Sequence, residues 1–182
     1  MAVIKTTDGE TIAQDARKSV SDLVAEHQDN LIGADLTGAD LHGLDLSGAE
    51  LYRAVLTGAD LHDTKLGQAN LSASDLQDAN LSGADMNRAG LIGAWLNGAN
   101  LTGATLDGAD MQATDLTDAT MDGATLRGAN LNDAYTLDDD GNRVALTATD
   151  LKGADVEGVS FEPDYWKPGA LPATTTTPDA GV

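Results

Sequence analysis

The sequence contains no cysteine, only 3% aromatic residues, and only 10 lysine and arginine residues against 30 aspartate and glutamate residues. The absence of cysteine excludes disulfides and thiol chemistry, although it does not identify a cellular compartment. Because aromatic residues are so scarce, the 41% of hydrophobic residues consists almost entirely of leucine and alanine. Such a narrow composition favours a repeated local environment over an irregular core.

Positive charge is also scarce, and the formal net charge is -20. This charge makes direct binding to nucleic acid or to an anionic membrane surface unfavourable and favours partners with a basic surface. No apolar run is long enough for a signal peptide or a membrane span. We therefore expect a soluble, cytoplasmic protein that binds neither nucleic acid nor membranes directly.

A hydrophobic residue recurs at every fifth position from Leu31 to Leu131, without any change of phase. These 21 central positions are all leucine except for Met86, Met111 and Met121. In the last 20 units, alanine stands two places before the centre 16 times, and aspartate or asparagine stands one place before it 12 times. Glycine follows two places after 12 of the 21 centres. The repeating unit is therefore A(D/N)LxG.

This unit resembles the repeat of the pentapeptide-repeat family, over roughly residues 29–161. The resemblance implies an all-β solenoid, a right-handed quadrilateral β-helix with four pentapeptides per coil, about 6 to 7 coils and inward-pointing leucine and alanine. Alternation along an extended chain agrees, because it places these two positions on one face. The predicted core includes Leu36, Leu41, Leu46, Leu51, Leu56, Leu61, Leu81 and Leu101.

The N-terminal segment, residues 1–28, carries apolar residues at helical spacing, and Thr11 with Gln14 fits a capping box. The apolar positions are Ile12, Ala16, Val20, Leu23 and Val24. We predict an N-terminal capping α-helix that covers the first coil, whose open edge would otherwise pair with another chain. A helix that binds a partner is the alternative.

The regular repeat is predicted over residues 29–135 and fails at Thr136. Residues 136–145 are expected to form an irregular turn or bulge, with Asp140 and Gly141 in the turn. The run DDDGN also resembles a calcium loop, but the first and twelfth ligand positions hold Thr136 and Thr147, which favours a turn. Ten residues equal two pentapeptides, so the final coil, residues 146–162, keeps the original phase.

Residues 163–182 are predicted to form a C-terminal cap and a disordered tail, because all four prolines and a threonine run lie there. Phe161, Tyr165 and Trp166 cluster where the hydrophobic repeat ends. We expect these aromatic residues to plug the last coil or to form a dimer contact. The protein would accordingly be a monomer or an end-to-end dimer.

Residues suited to catalysis are nearly absent, since histidine occurs at only three positions and cysteine at none. We predict no catalytic residue, no cofactor and no enzyme activity. His42 and His62 are 20 residues apart, as are Asp40 and Asp60. The four-sided coil would stack these pairs on adjacent coils, so they are candidate ligands for a divalent metal, with a hydrated surface patch as the alternative.

Trp95 and Tyr135 replace the usual aspartate or asparagine on another predicted side, in a column that also contains Val55. An apolar strip on a surface rich in aspartate is typical of a contact site. These three residues are therefore candidates for binding a partner, and exposed aromatic residues without a function are the alternative.

We predict a non-catalytic interaction or scaffold protein that presents a rigid acidic rod to an unidentified protein partner with a basic surface. The family resemblance implies an alternative, a B-DNA mimic that binds DNA gyrase or another type II topoisomerase, as in fluoroquinolone resistance. Residues 31–131 carry 14 acidic and 4 basic side chains, about one net charge per 2.4 Å against one per about 1.7 Å in B-DNA. Because aspartate is part of the repeat, an interaction protein that does not mimic DNA would carry a similar charge. Charge alone therefore does not separate the two functions.

Overall fold

The computed structural model describes residues 2–146 and 150–160. From Leu31 onward the backbone winds so that residues 20 apart form parallel β-bridges, such as Asp40 with Asp60. These bridges stack into four columns, which begin at Asp35, Asp40, Asp45 and Glu50. Each column is one side of a four-sided coil, so a five-residue repeat corresponds to one side of the solenoid.

A tight turn separates each side from the next. The amide of the residue three places after a centre donates to the carbonyl of that centre, as Ala34 does to Leu31 at 3.1 Å. The residue between them at the second place has a positive φ, such as 64° at Gly33 and 56° at Ala113. This is the arrangement of a type II turn, and it explains why glycine is frequent two places after the centre.

The core is a column of leucine and alanine inside the coil. The structure buries all the central leucines predicted above, each no more than 2% exposed. Thr64, Ser74 and Thr114 replace the inward alanine and are also buried. Their hydroxyls donate to backbone carbonyls, as Ser74 does to Leu71 at 2.7 Å. A small hydroxyl therefore fits an alanine position at little cost when it satisfies its own hydrogen bond.

The N-terminal segment differs from the predicted single helix. Strands β1, Ala2–Thr6, and β2, Thr11–Asp15, form an antiparallel hairpin. The predicted capping box of Thr11 and Gln14 is therefore wrong, since both residues lie in β2. Alternation explains the outcome, because Ile4 and Ala13 are buried and face the core from paired strands around a turn at Asp8 and Gly9.

The helix of this segment is shorter and begins later than the spacing predicts. Helix α1 spans Val20–Glu26, and Ser19 and Asp22 form its capping box. Leu23 and Val24 are buried and belong to the same core as the coil leucines. Strand β1 also pairs with β3, Ala34–Asp35, in the first coil. The hairpin therefore covers part of the first coil edge that the helix was expected to cover alone.

The interruption at 136–145 is a second hairpin rather than an irregular bulge. Strand β4, Tyr135–Leu137, pairs with β5, Arg143–Ala145, in antiparallel register. The loop turns at Gly141, whose amide donates to Asp138, and the Asp138 carboxylate accepts from the Asn142 amide at 2.8 Å. The Asp138 side chain thus serves the turn.

The described part of the coil ends at Ser160, which bridges Asn130. Phe161, Tyr165 and Trp166, the residues predicted to cap the last coil or to contact a second subunit, lie outside the described residues. Among residues 2–146 and 150–160, no helix has the length and hydrophobicity needed to cross a lipid bilayer.

Candidate functional site

The aspartate and asparagine residues before the centres have a structural task. Their Oδ1 atoms accept the backbone amide two residues later, as Asp75 does from Gln77 at 3.1 Å and Asn100 from Thr102 at 3.1 Å. This is an Asx turn, which an amide and a carboxylate form equally well. The repeat therefore explains many surface carboxylates without reference to function.

A second class of aspartates lies at the positive-φ position of the turn. Asp63, Asp78, Asp118 and Asp133 have φ between 54° and 57° and are exposed. Within the described residues their carboxylates form no hydrogen bond or ion pair. Glycine suits this backbone conformation better than aspartate does, so the fold does not require these four carboxylates.

The predicted histidine column is present on one corner of the rod. The rings of His42 and His62 stack with centroids 4.9 Å apart and planes 3° apart. His42 Nδ1 lies 2.5 Å from Asp40 Oδ1, and His62 Nδ1 lies 2.7 Å from Asp60 Oδ1. The Asp40 hydrogen bond raises the pKa of His42, and the same bond lowers the pKa of Asp40.

The histidine and aspartate side chains of this column do not surround a common point where a metal ion could bind. Each Asp holds the Nδ1 atom of its own histidine, so the two pairs lie side by side rather than around one point. Among residues 2–146 and 150–160, no group of three or more histidine, aspartate or glutamate side chains is arranged to hold a metal ion. The stacked rings and their carboxylates are described best as a hydrogen-bonded surface patch.

The large exposed hydrophobic residues of the coil gather at the opposite corner. Ile32, Tyr52 and Ile92 occupy the position after the centre in one column, and they are 49%, 39% and 44% exposed. Trp95, 47% exposed, follows Ile92 across the turn that Leu91 and Ala94 close. We call these four residues the apolar edge. Ile32, Tyr52 and Ile92 were not predicted from the sequence, although they become evident when the position after the centre is compared at intervals of 20.

The predicted strip of Val55, Trp95 and Tyr135 is only partly exposed. Trp95 is exposed and Val55 is half-buried, but Tyr135 is 7% exposed, so its predicted role as an exposed contact is wrong. Tyr135 begins β4 and pairs with Ala145 of β5, and the Arg143 guanidinium of β5 lies 4.0 Å from the Tyr135 ring centre. Burial raises the pKa of the Tyr135 phenol, and the nearby Asp115 carboxylate adds to this effect.

A comparison with known protein families agrees with this architecture. The family described as pentapeptide repeats (8 copies) matches residues 30–68, 65–103 and 96–133. No curated protein matches the chain significantly.

Among solved structures, a pentapeptide repeat protein of the Arabidopsis thaliana thylakoid lumen is 31% identical, covers 68% of this chain and 79% of its own, and has a TM-score of 0.45. A pentapeptide repeat protein from Nostoc PCC 7120 is also 31% identical, with 58% and 91% of the two chains covered and a TM-score of 0.48. QnrB1, a plasmid-mediated fluoroquinolone resistance protein, is 20% identical, with 71% and 61% covered and a TM-score of 0.35. The present chain belongs to the pentapeptide-repeat family, whose fold is a right-handed β-helix.

Proposed function

We propose that this protein is a non-catalytic interaction protein that presents a rigid acidic rod to a protein partner with a basic surface. The apolar edge is the observation that carries the proposal. Four large hydrophobic side chains are exposed along one corner of a coil whose outer positions are otherwise mainly polar or acidic. Exposed hydrophobic residues with a polar surround are typical of protein-binding surfaces.

The backbone supports such a role because it holds the edge in a fixed arrangement. Hydrogen bonds link each coil to the next on every side, for example Leu96 with Asp115 and Asp115 with Ala94. Side chains one coil apart, such as Ile32 and Tyr52, are therefore separated by about the 4.8 Å strand spacing. A partner that binds such a surface meets a preorganised array and loses little free energy to ordering it.

Charge supports a basic partner. The formal net charge is -20, and the aspartates at positive-φ positions are exposed and unpaired within the described residues. A field of one sign accelerates association with an oppositely charged surface and makes it sensitive to salt. The apolar edge would then supply the short-range contacts, because exposed charge pairs contribute little affinity alone.

The B-DNA mimic remains the alternative, with DNA gyrase or another type II topoisomerase as its partner. The geometry favours it less, since DNA carries phosphates along its whole surface. One corner of this rod instead carries isoleucine, tyrosine and tryptophan. A mimic would bind through carboxylates and tolerate changes in the apolar edge, which gives an experiment that separates the two functions.

The experiment is quantitative capture of partners from a nuclease-treated lysate of the source organism, with immobilised parent protein and two variants. The edge variant is Ile92→Ser with Trp95→Ser. The control variant is Thr102→Ser with Thr105→Ser, which lies ten residues further on and therefore two sides around the rod. We expect the edge variant to reduce a captured protein about fivefold or more and the control to leave it unchanged.

A gyrase supercoiling assay with the same three proteins tests the alternative. Inhibition by the parent that persists in the edge variant and weakens with salt would identify a DNA mimic and contradict the proposal. Equal capture by edge variant and parent would contradict it as well.

A further inference from the structure

We propose that the depression beside Trp95 binds an arginine side chain of the partner protein. This inference rests on the proposed function, because it names the group that the protein partner would insert. The depression encloses about 450 Å³ on the side that contains Trp95 and Asp115, and the corner residues Asp78, Gly98 and Asp118 also line it.

Hairpin β4–β5 supplies one wall of this depression. Leu137 lies at its margin and is exposed, and the Leu137 amide donates to Thr117 Oγ1 at 2.8 Å. That bond joins the end of β4 to the coil below it. Leu137 is one of the ten inserted residues, so the insertion supplies this part of the lining.

The depression has an aromatic face and carboxylates around it. Trp95 is half exposed, so part of its indole is accessible to a ligand. Asp78 and Asp118 are exposed, occupy the same corner column with Gly98 between them, and have no hydrogen bond or ion pair within the described residues. A third carboxylate, Asp115, is 7% exposed and accepts from Thr117.

Because Gly98 has no side chain, the Asp78 carboxylate can extend over residue 98 in the corner column. A β-carbon at Gly98 would lie 2.3 Å from Asp78 Oδ1, closer than atoms can approach. The carboxylate therefore occupies the space that a side chain at residue 98 would fill. This placement directs a negative charge over the corner that borders the depression.

Arginine is the cation that fits these groups best. Its planar guanidinium stacks on an aromatic ring and forms hydrogen bonds to carboxylates at the same time. A lysine ammonium is a compact charge that does not stack, and it loses a larger hydration shell. The flat indole, two unpaired carboxylates and one buried carboxylate therefore favour arginine over lysine.

Three departures from the repeat coincide at this place. Trp95 stands where aspartate or asparagine is usual, and Asp78 and Asp118 stand where glycine is usual. The inserted hairpin begins at Tyr135, one coil beyond Asp115. None of them is needed to close the coil. Aspartate at a left-handed φ is less favourable than glycine by about 1 kcal/mol, so the backbone conformation alone does not select aspartate at residues 78 and 118.

The test is an NMR titration of the full chain with N-acetyl-arginine amide, in a Trp166→Phe background that leaves Trp95 as the single tryptophan. The Trp95 indole N–H signal is the readout. We expect saturable shifts with arginine amide, binding at least about fivefold weaker for N-acetyl-lysine amide, and no shift with the uncharged citrulline analogue.

The matched variants are Asp78→Asn with Asp118→Asn, and Asp63→Asn with Asp133→Asn. Both pairs remove two carboxylates from exposed positive-φ positions, but only the first pair borders the depression. We expect about tenfold weaker arginine binding for the first pair and less than twofold change for the second.

Equal weakening in both pairs, or shifts spread over all four sides, would show general charge attraction and overturn the inference. Binding of the citrulline analogue as tightly as arginine would overturn it too. These outcomes are independent of the proposed function, because a partner that needs Ile92 and Trp95 but tolerates the Asp78 and Asp118 changes would retain that function without this pocket.

Discussion

Thr125 and Asp155 form a parallel β-bridge although 30 residues separate them, whereas Thr105 and Thr125 in the same column are 20 apart. The extra ten residues are those of hairpin β4–β5 and its return to the coil. Ten is a multiple of the five-residue repeat, so the last coil resumes on the side where it would have been without the insertion. The hairpin is thus an in-phase insertion that leaves the solenoid register intact.

Deletion of residues 136–145 should therefore give a folded, uninterrupted coil. Leu146 would then follow Tyr135 and take the central position of Thr136, which is buried in the column of Leu116. We expect one cooperative thermal transition and a retained β-sheet signal in circular dichroism, with loss of the Leu137 contribution to the depression.

The matched control removes nine residues, 136–144. A shift of one residue turns inward side chains outward, so the last coil should fail to pack. A ten-residue deletion that unfolds the last coil as completely as the nine-residue deletion would contradict the in-phase insertion.

Ala113→Gly should stabilise the protein. Ala113 has a φ of 56°, which an L-residue adopts at a cost and glycine does not. Relief of this strain should raise the free energy of unfolding by about 0.5–1 kcal/mol. The greater freedom of glycine in the unfolded chain opposes the gain, so the measured increase should be smaller. The reverse change, Gly103→Ala at φ 69° with no atom near the added carbon, should cost about 1 kcal/mol. Urea denaturation measures both, and the same sign for both variants would contradict the role of backbone strain.

Asp85 should tolerate asparagine but not alanine. Its Oδ1 accepts the Asn87 amide at 3.1 Å and the Thr105 hydroxyl at 3.3 Å, and an amide oxygen can accept both bonds. We expect Asp85→Asn to lie within about 0.3 kcal/mol of the parent and Asp85→Ala to lose about 0.5–1 kcal/mol. Equal losses for the two variants in urea denaturation would show that charge, rather than the Asx turn, selects this residue.

The pKa of His42 should lie above the ordinary histidine value of 6.5, because the Asp40 carboxylate accepts a hydrogen bond from the protonated ring. A raised pKa in the folded state gives stability that is fully present below 6.5 and is lost as the pH rises through the folded value. The lowered pKa of Asp40 gives stability that is present above 3.8 and is lost as the pH falls through its folded value. The pair therefore stabilises the fold most between these limits.

Proton NMR of the His42 ring measures this pKa directly. Asp40→Asn should bring it down, whereas Asp133→Asn, which removes the same charge from the opposite corner, should not. A parent His42 pKa at or below 6.5 would contradict the hydrogen bond.

Much of the coil could be predicted from the sequence, because each five-residue unit repeats the same pattern of inward and outward positions. Leu81 and Leu101 are buried as inward residues of adjacent coils, at the spacing of 20 that four sides require. The structural role of residues such as Asp75 was not predicted. Net charge counts the carboxylate but contains no information about the hydrogen bond that it accepts from the Gln77 amide.

The regions outside the repeat were harder to predict, because no neighbouring copy reinforces their pattern. Ile12 fits helical spacing, yet its neighbour Ala13 pairs with Ile4 in a hairpin around Asp8 and Gly9. Tyr135 lies in a column of outward positions, but strand β5 pairs beside it and Arg143 packs over its ring. In both places a contact with a distant strand decided the result, and local periodicity carries no information about such a contact.

Site-specific photocrosslinking tests the central claim, that the apolar edge binds a protein partner, most directly. p-Benzoylphenylalanine replaces Ile92 in one protein and Thr102, at the opposite corner, in another. We predict a light-dependent, nuclease-resistant adduct with one protein from position 92, absent from position 102 and lost when Trp95→Ser is added. Equal adducts from both positions, or an adduct from 102 alone, would contradict the account.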